Sequence, residues 1–285
     1  MISLLRFLIF SLAFGLFTVC TAANADNDLT LAIHPFKSAV ALHKAFTPLA
    51  EYLTRELGRK VKVSVSKDYQ THIARVGNNE VAIAYLGPAS YVKLADKFGK
   101  QRILARLEIN GSPTFRGYII TRSDSPLRSL KDLVGRRFAF GSPASTMSHL
   151  VPRYMLWKAG VDVSQFKKYD FLGNHTNVAL GVLTGNFDAG AVKEAIYDKY
   201  KQRGLRILAE SDKFSEHLFV ASNSMPDNLT HQLQAALLKL HRQPDGKAIM
   251  AAIKGTMTAL VPTKDEDYDN LRTILRTLKD LGIDH

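Results

Sequence analysis

Short apolar runs and amphipathic segments alternate along most of the chain. The runs at 29–33, 81–86 and 187–191 are typical of buried strands, and positions 61–65 alternate between apolar and polar as in a half-buried strand. Between the strands, segments such as 40–57 repeat leucine or phenylalanine every three or four residues, which is the period of one helix face. Repeated units of this kind predict a mostly parallel α/β architecture.

Two predicted strands, near 119–121 and 219–222, are interpreted as segments that pass between two lobes. We therefore expect lobe 1 to comprise residues 26–120 and 219–285, and lobe 2 to comprise residues 121–218. The C-terminal helices would then return to lobe 1. A ligand would lie in the cleft between the lobes, where pockets often form.

Residues 1–25 have the pattern of a secretory signal peptide. Arg6 precedes an apolar run at 7–19, and Ala23-Asn24-Ala25 matches a small-x-small cleavage site. Cleavage there leaves a mature chain of about 260 residues, enough for one large domain or two medium ones. The apolar run is too short to favour a membrane-spanning helix, so we expect a soluble protein of the periplasm.

Cysteine usage and net charge narrow the possible chemistry. Cys20 is the only cysteine, so the mature chain has no disulfide, thiolate metal site or cysteine nucleophile. Lipoprotein processing at Cys20 is an alternative, although Val19 is unusually large for it. The formal charge of +12 favours an anionic small ligand or simply solubility, and nucleic acid is not predicted because no basic run or RNA-binding aromatic signature occurs.

The stretch 138–157 combines strand, turn and helix signals with candidate chemistry. An apolar strand at 138–140 breaks at 141–143, and apolar side chains at helical spacing then lead to Trp157. Three hydroxyls lie at the predicted helix start, namely Ser145, Thr146 and Ser148. The free N–H groups and the positive dipole end of a helix start favour an anion. The alternative is that Ser145 is a plain N-cap.

Six motifs occur in an order and spacing that resemble one family. They are FTPLAEYL at 46–53, GPASY at 87–91, DSPLRSLKDLVG at 124–135, GSPASTMSHLVP at 141–152, NHTNVAL at 174–180 and GNFDAGA at 185–191. The chain resembles the phosphate/phosphite/phosphonate-binding periplasmic receptors of ABC transporters over nearly all of the mature sequence. The resemblance implies an α/β, two-lobed periplasmic-binding-protein fold (type II-like), a small phosphorus oxyanion held by inter-lobe closure, and an ABC permease as partner.

The resemblance also implies a set of ligand-binding residues. The family's hydroxyl-bearing helix start and a following histidine bind the phosphonate oxygens, two aromatic positions flank the ligand, and one acidic position lies near the place where aminoalkyl-phosphonate receptors hold the ligand amine. The implied residues are Tyr69, Tyr118, Ser145, Thr146, Ser148, His175, Asp188 and Glu194. No metal or cofactor is implied, and the receptor is expected to be a monomer.

Position 147 departs from the family's pattern. The third hydroxyl of the family's Ser-Thr-Ser is Met147 here, so at least one oxyanion contact is expected to be lost or moved to Ser148. A ligand with an apolar arm, or with fewer anionic oxygens, suits a methionine better.

Several of these residues also have a structural interpretation. His175 could cap a helix, Asp188 could accept hydrogen bonds from backbone N–H groups in a turn, and Tyr69 could belong to the core. Three other histidines lack metal-ligand spacing and are expected at the surface; they are His34, His43 and His72.

Two other functions remain as alternatives to transport. A hydrolase would use Ser145, His149 or His175, and Asp188 as nucleophile, base and orienting group, but no Gly-x-Ser-x-Gly elbow occurs, so an enzyme is not predicted. A receptor of the same fold could instead report ligand occupancy to a membrane signalling protein.

Overall fold

The structure is a computed structural model that describes residues 28–283. The predicted signal segment, with Cys20 and the cleavage site, lies outside the described residues. The strands are β1 Leu29–Ile33, β2 Val61–Val65, β3 Ile83–Leu86, β4 Arg102–Ile109, β5 Thr114–Phe115, β6 Gly117–Arg122, β7 Arg137–Phe140, β8 Lys168–Phe171, β9 Ala189–Lys193, β10 Leu205–Glu210, β11 Phe214–Ser215, β12 Leu218–Ala221 and β13 Met257–Val261. The α-helices are α1 Ala39–Leu57, α2 Tyr69–Gly77, α3 Pro88–Phe98, α4 Val151–Lys158, α5 His175–Leu183, α6 Glu194–Tyr200, α7 Asp227–Lys239, α8 Gly246–Ile253 and α9 Asp269–Asp280.

The strands form two main sheets, each the centre of one lobe. The first has the order β13-β4-β12-β3-β1-β2 and the second β10-β6-β9-β7-β8. Parallel pairs surround β1 and β7, whereas β4, β6, β10, β12 and β13 pair antiparallel. The expectation of mostly parallel sheets is therefore wrong. Parallel neighbours need a crossover connection, but the chain passes between the lobes directly from strand to strand.

The two passages between the lobes lie side by side. β5 leads from the six-stranded sheet into β6, and β11 leads from β10 back to β12. β5 and β11 pair antiparallel, with Phe115 opposite Phe214, and so form a two-stranded hinge. The expected boundary between residues 120 and 121 falls inside β6, which pairs on both edges within the five-stranded sheet.

Helix α1 shows how burial overrides a local signal. The sequence suggested a helix start or kink near Pro48, but α1 begins at Ala39 and continues through the proline. Ser38 caps it by accepting the Ala41 N–H, and it ends at Gly58 with φ of 61°. Proline removes one helix hydrogen bond. The apolar face of α1, which includes the fully buried Phe46, keeps the helix intact by packing on the six-stranded sheet.

An apolar cluster connects the two lobes beside the hinge. Met147, Leu150 and Val151, from the five-stranded lobe, belong to the same buried cluster as Phe115 of β5 and residues of α9. Helix α4 packs against α9 in this cluster. The segment with the candidate hydroxyls is therefore anchored in both lobes.

Candidate functional site

The hydroxyl-bearing helix starts directly after β7. Its first turn, Thr146–Leu150, is a π-helix that continues into α4. Ser145 is the N-cap, and its Oγ accepts the Ser148 N–H at 3.1 Å. The N-cap interpretation of Ser145 is thus confirmed, and its O–H remains able to donate to a ligand.

The wide π turn has a cause in the sequence. Pro152 has no N–H and cannot donate to the carbonyl of Ser148, which instead accepts the Gly141 N–H at 3.1 Å. Leu150 N–H bonds to Ser145 O five residues back, as a π turn requires. Gly141 is needed here because an added Cβ would overlap the Ser148 hydroxyl. These bonds fix the helix start to the end of β7.

A cavity of about 750 Å³ opens between the lobes at the carboxyl ends of β1, β3, β7 and β9. Ligands in open α/β sheets usually bind at this edge. Both lobes line the cavity with polar and aromatic side chains. Those used below are His34, Lys37, Tyr69, Tyr85, Ser145, Thr146, His175, Lys193, His217 and Lys254.

Three donors for an oxyanion meet on the five-stranded side of this cavity. Thr146 Oγ1 accepts the Ala89 N–H of α3 at 3.2 Å, which joins the lobes and leaves the threonine O–H free to donate. Ser145 Oγ lies 3.5 Å from His175 Nε2. Since both hydroxyls and the ring nitrogen lie at the cavity, they can converge on one anion.

The tautomer of His175 is determined by a backbone amide. Lys193 N–H donates to His175 Nδ1 at 3.1 Å, so Nδ1 carries the lone pair and a neutral ring carries its hydrogen on Nε2. Burial, reinforced by the charge of Lys193, lowers the pKa of His175 to about 3. His175 is therefore a neutral N–H donor. In this state Nε2 cannot take a proton from Ser145, as the hydrolase alternative requires.

The six-stranded side of the cavity contains a cluster of aromatic rings. His34 Nδ1 and His72 Nε2 both lie 3.1 Å from the carbonyl oxygen of Tyr85, and because a carbonyl only accepts, both nitrogens carry hydrogen. The His34 ring stacks on Tyr85 with centroids 5.3 Å apart. His34 and His72 are 2 % and 0 % exposed, so their expected surface position is wrong, whereas His43 is exposed as expected.

A buried carboxylate supports the same wall. Glu216 is 1 % exposed and accepts hydrogen bonds from Lys254 Nζ at 2.6 Å and from His217 Nδ1 at 2.8 Å. Burial alone would raise the pKa of Glu216, but the hydrogen bonds and charges of His217 and Lys254 outweigh it and hold that pKa well below the ordinary value. Glu216 stays ionised and fixes both partners at the cavity.

Ser148 does not replace the hydroxyl that is absent at position 147. Its side chain is fully buried and donates to Ala191 O at 2.6 Å. Met147 is 1 % exposed and packs against Gly117 next to the hinge, while it also borders the cavity. The expected transfer of an oxyanion contact to Ser148 is wrong because a backbone carbonyl already occupies that hydroxyl.

Asp188 lies at the opposite edge of the five-stranded sheet. It precedes β9, next to Arg137 at the start of the parallel strand β7, whereas the cavity is at the carboxyl ends of these strands. Asp188 Oδ1 lies 2.9 Å from Arg137 Nη2, and Oδ2 accepts the Arg137 N–H at 2.8 Å. Ligand contact by Asp188 is thus contradicted by its position, and the backbone-bonding interpretation is confirmed.

Two further implied residues do not line the cavity. The Tyr118 ring packs edge-on against Tyr197 at 5.3 Å between centroids. Glu194 begins α6, and its carboxylate is outside the lining although its neighbour Lys193 is part of it. The structure therefore brings Tyr69, Ser145, Thr146 and His175 to the cavity and leaves the other four implied residues elsewhere.

Replacing Asp188 by asparagine tests this division. We expect the free energy of unfolding to fall by about 1 kcal/mol, because the partly exposed pair with Arg137 loses its charge and one backbone bond weakens. Ligand affinity should stay within about twofold. Urea denaturation and calorimetric titration measure the two effects, and a large loss of affinity with unchanged stability would contradict the placement.

Sequence reasoning missed the lysines and the buried Glu216–His217 pair. Lys193 follows directly after the predicted strand 187–191, so the rule that ligands meet carboxyl strand ends could have identified it. Glu216 and His217 precede an antiparallel strand, and no local pattern shows that β12 would bring them to the same edge.

The sequence profile described as "ABC transporter, phosphonate, periplasmic substrate-binding protein" matches residues 31–268. The chain belongs to this family. Its members are substrate-binding components of the periplasm and not enzymes, which removes the hydrolase alternative. In residues 28–283, no helix has the length and apolar character needed to cross a membrane.

Two curated relatives in the family have similar lengths. The "Phosphate-import protein PhnD" of Mycolicibacterium smegmatis is 26% identical over 279 residues, which cover 89% of this chain and 87% of the relative. The "Phosphonates-binding periplasmic protein" of Escherichia coli is 26% identical over 257 residues, which cover 85% and 76%.

Solved structures share the two-lobed fold. PhnD1 of Prochlorococcus marinus, in complex with methylphosphonate, has a TM-score of 0.77 at 23% identity and covers 88% of this chain and 98% of its own. XAC2383 of Xanthomonas citri, bound to ATP, has a TM-score of 0.77 at 18% identity with the same coverage. The α/β, two-lobed periplasmic-binding-protein architecture implied by the motifs is thereby confirmed.

Proposed function

We propose that this protein binds a small phosphorus oxyanion between its lobes and delivers it to an ABC permease. The ligand class comprises phosphonates, phosphite and phosphate esters. The observation that carries the proposal is the convergence of three donors at one helix start, namely the hydroxyls of Ser145 and Thr146 and the neutral Nε2–H of His175. Export through the cleavable signal 1–25 and a monomeric receptor complete the proposal.

Lobe closure follows from where these donors lie. Ser145 and His175 belong to the five-stranded lobe, whereas Tyr69 and Tyr85 border the cavity from the six-stranded lobe. A ligand that touches both sides stabilises the closed form, because its contacts across the cleft exist only there. The paired strands β5 and β11 are the hinge about which the lobes would move.

A thermal-shift screen tests the proposal. The mature protein is melted with methylphosphonate, phosphite, phosphate, a phosphate monoester, sulfate and an uncharged sugar. We expect a phosphorus oxyanion to raise the melting temperature, since a ligand at 100 times its Kd adds about 2.7 kcal/mol to the free energy of unfolding.

Thr146→Val keeps the shape of the side chain and removes its hydroxyl, so it should weaken the effective ligand about tenfold. Thr277→Val on the exposed face of α9 is the control and should leave affinity unchanged. A shift produced by the sugar and by no oxyanion would overturn the proposal.

A further inference from the structure

We propose that the cavity holds a second anionic group of its ligand at a cationic subsite formed by Lys193 and Lys254, with Lys37 at the rim. The inference rests on the proposed function and refines it. The favoured ligand is a phosphorus oxyanion whose organic arm ends in a carboxylate or a second phosphoryl group, and an arm that ends in an amine is selected against.

The composition of the cavity wall is the first observation. Three of the lining residues are lysines, and none is aspartate or glutamate. The three lysines come from separate segments, namely the loop after β1, the end of β9 and the end of α8. Positive charge therefore surrounds the cavity and attracts anions to it.

Lys193 is the centre of this subsite. Its backbone N–H binds His175 Nδ1 at 3.1 Å, which places the residue directly beside the proposed oxyanion donors. Its side chain is partly buried, and it forms no ion pair with any residue in the described range 28–283. Withdrawing an ammonium group from water without a partner is costly, and an anionic group of the ligand would offset that cost.

The nearest carboxylate is already fully engaged. Glu216 binds Lys254 through Oε1 and His217 through Oε2. It is itself 1 % exposed and is outside the cavity lining, so it is not available to a ligand amine. Because Lys254 shares this carboxylate with His217, the pair leaves the cavity with net positive charge.

The carboxylate expected for a ligand amine lies elsewhere. Glu194 was the implied partner of an aminoalkyl group, but it does not line the cavity, whereas the adjacent Lys193 does. An ammonium group on a ligand held by Ser145 and His175 would meet another ammonium group in place of a carboxylate. Repulsion of like charges in this position discriminates against the amine.

The subsite also spans the two lobes. Lys193 belongs to the five-stranded lobe and Lys254 to the six-stranded lobe. The charges that act on Lys193 are those of Lys254, Glu216 and Lys37, and together with burial they lower the pKa of Lys193 to about 8. An anionic group between the two lysines would relieve their repulsion and favour the closed form.

Calorimetric titration at pH 7 with ligands of matched length tests the inference. The ligands are ethylphosphonate, phosphonoacetate and 2-aminoethylphosphonate, which share a two-carbon arm, and methylenediphosphonate, which replaces the carboxylate with a second phosphoryl group. We expect phosphonoacetate or methylenediphosphonate to bind at least about tenfold more tightly than ethylphosphonate, and 2-aminoethylphosphonate to bind most weakly. Comparison of the two dianionic arms identifies which anionic group the subsite prefers.

Lys193→Met retains most of the apolar stem and removes the charge. It should abolish the preference for the anionic arm while the Kd of ethylphosphonate changes by less than about threefold. Lys193→Arg should retain the preference, and Lys199→Met, at an exposed position of α6, should change nothing. Circular dichroism of each variant verifies folding.

Two results would overturn the inference alone. One is 2-aminoethylphosphonate binding as tightly as phosphonoacetate, and the other is an unchanged arm preference in Lys193→Met. By contrast, the absence of binding by every phosphorus oxyanion, ethylphosphonate included, would overturn the proposed function as well. The two failures are therefore distinguishable in one set of titrations.

Discussion

Glu216→Gln is expected to lower the free energy of unfolding by about 3–5 kcal/mol, the largest effect of any single change considered. The carboxylate is 1 % exposed and is the shared acceptor of Lys254 and His217. Glutamine has the same shape but presents an NH₂ group to one of these donors and carries no charge. The ammonium group of Lys254 would then remain partly buried without its counter-ion.

Urea denaturation at pH 7 measures this loss, and Glu266→Gln is the matched control. Glu266 is 55 % exposed and lies 3.6 Å from Lys100, so its removal should cost less than about 1 kcal/mol. Equal losses in the two variants would contradict the structural role of Glu216.

The pH dependence of stability gives an independent sign. The folded pKa of Glu216 lies below its ordinary value of 4.5, so its stabilisation is complete above pH 4.5 and is lost progressively as the pH falls below it. The wild-type protein should therefore lose stability more steeply below pH 4.5 than Glu216→Gln does. A steeper loss in the variant would mean that the carboxylate is not held ionised by its partners.

The periodic patterns of the sequence predicted the elements well because apolar burial determines them. The strand at 138–140, the cap at Ser145 and the helix after it all follow from local spacing, and the structure contains each of them. Local spacing fails where a residue's partner is distant in sequence. Pro48 did not interrupt α1, since the packing of that helix on the sheet outweighs one lost hydrogen bond.

The site was less predictable because motif membership does not specify a sheet edge. Ser148 and Asp188 lie inside the family's motifs, yet one is engaged by Ala191 O and the other by Arg137. Glu216 and His217 lie in no motif that we recognised, and they reach the cavity only because β12 pairs antiparallel with β3. Such placement depends on long-range pairing, which single-sequence patterns do not report.

His175→Ala is expected to weaken methylphosphonate binding by roughly 10- to 100-fold, because it removes one hydrogen bond to a charged oxygen at about 1.5–3 kcal/mol. His175→Gln, which still offers an N–H donor, should recover part of the loss. His43→Ala, at an exposed position of α1, is the control and should have no effect. Calorimetric titration of the four proteins at a single pH measures these differences.

The same variants reveal the charge state of the donor. Lys193 N–H donates to Nδ1, and burial lowers the pKa of His175 to about 3, so the ring stays neutral throughout the range from pH 5 to 8. The ratio of the wild-type and His175→Ala affinities should therefore be constant across that range, whatever the ligand itself does. A ratio that increases as the pH falls through 6.5 would show that an imidazolium binds the anion, which requires Nδ1 to give up its bond to Lys193. Constancy would instead establish that this receptor recognises its anion at His175 through a fixed neutral dipole, and that the charge recognition is supplied by the lysines.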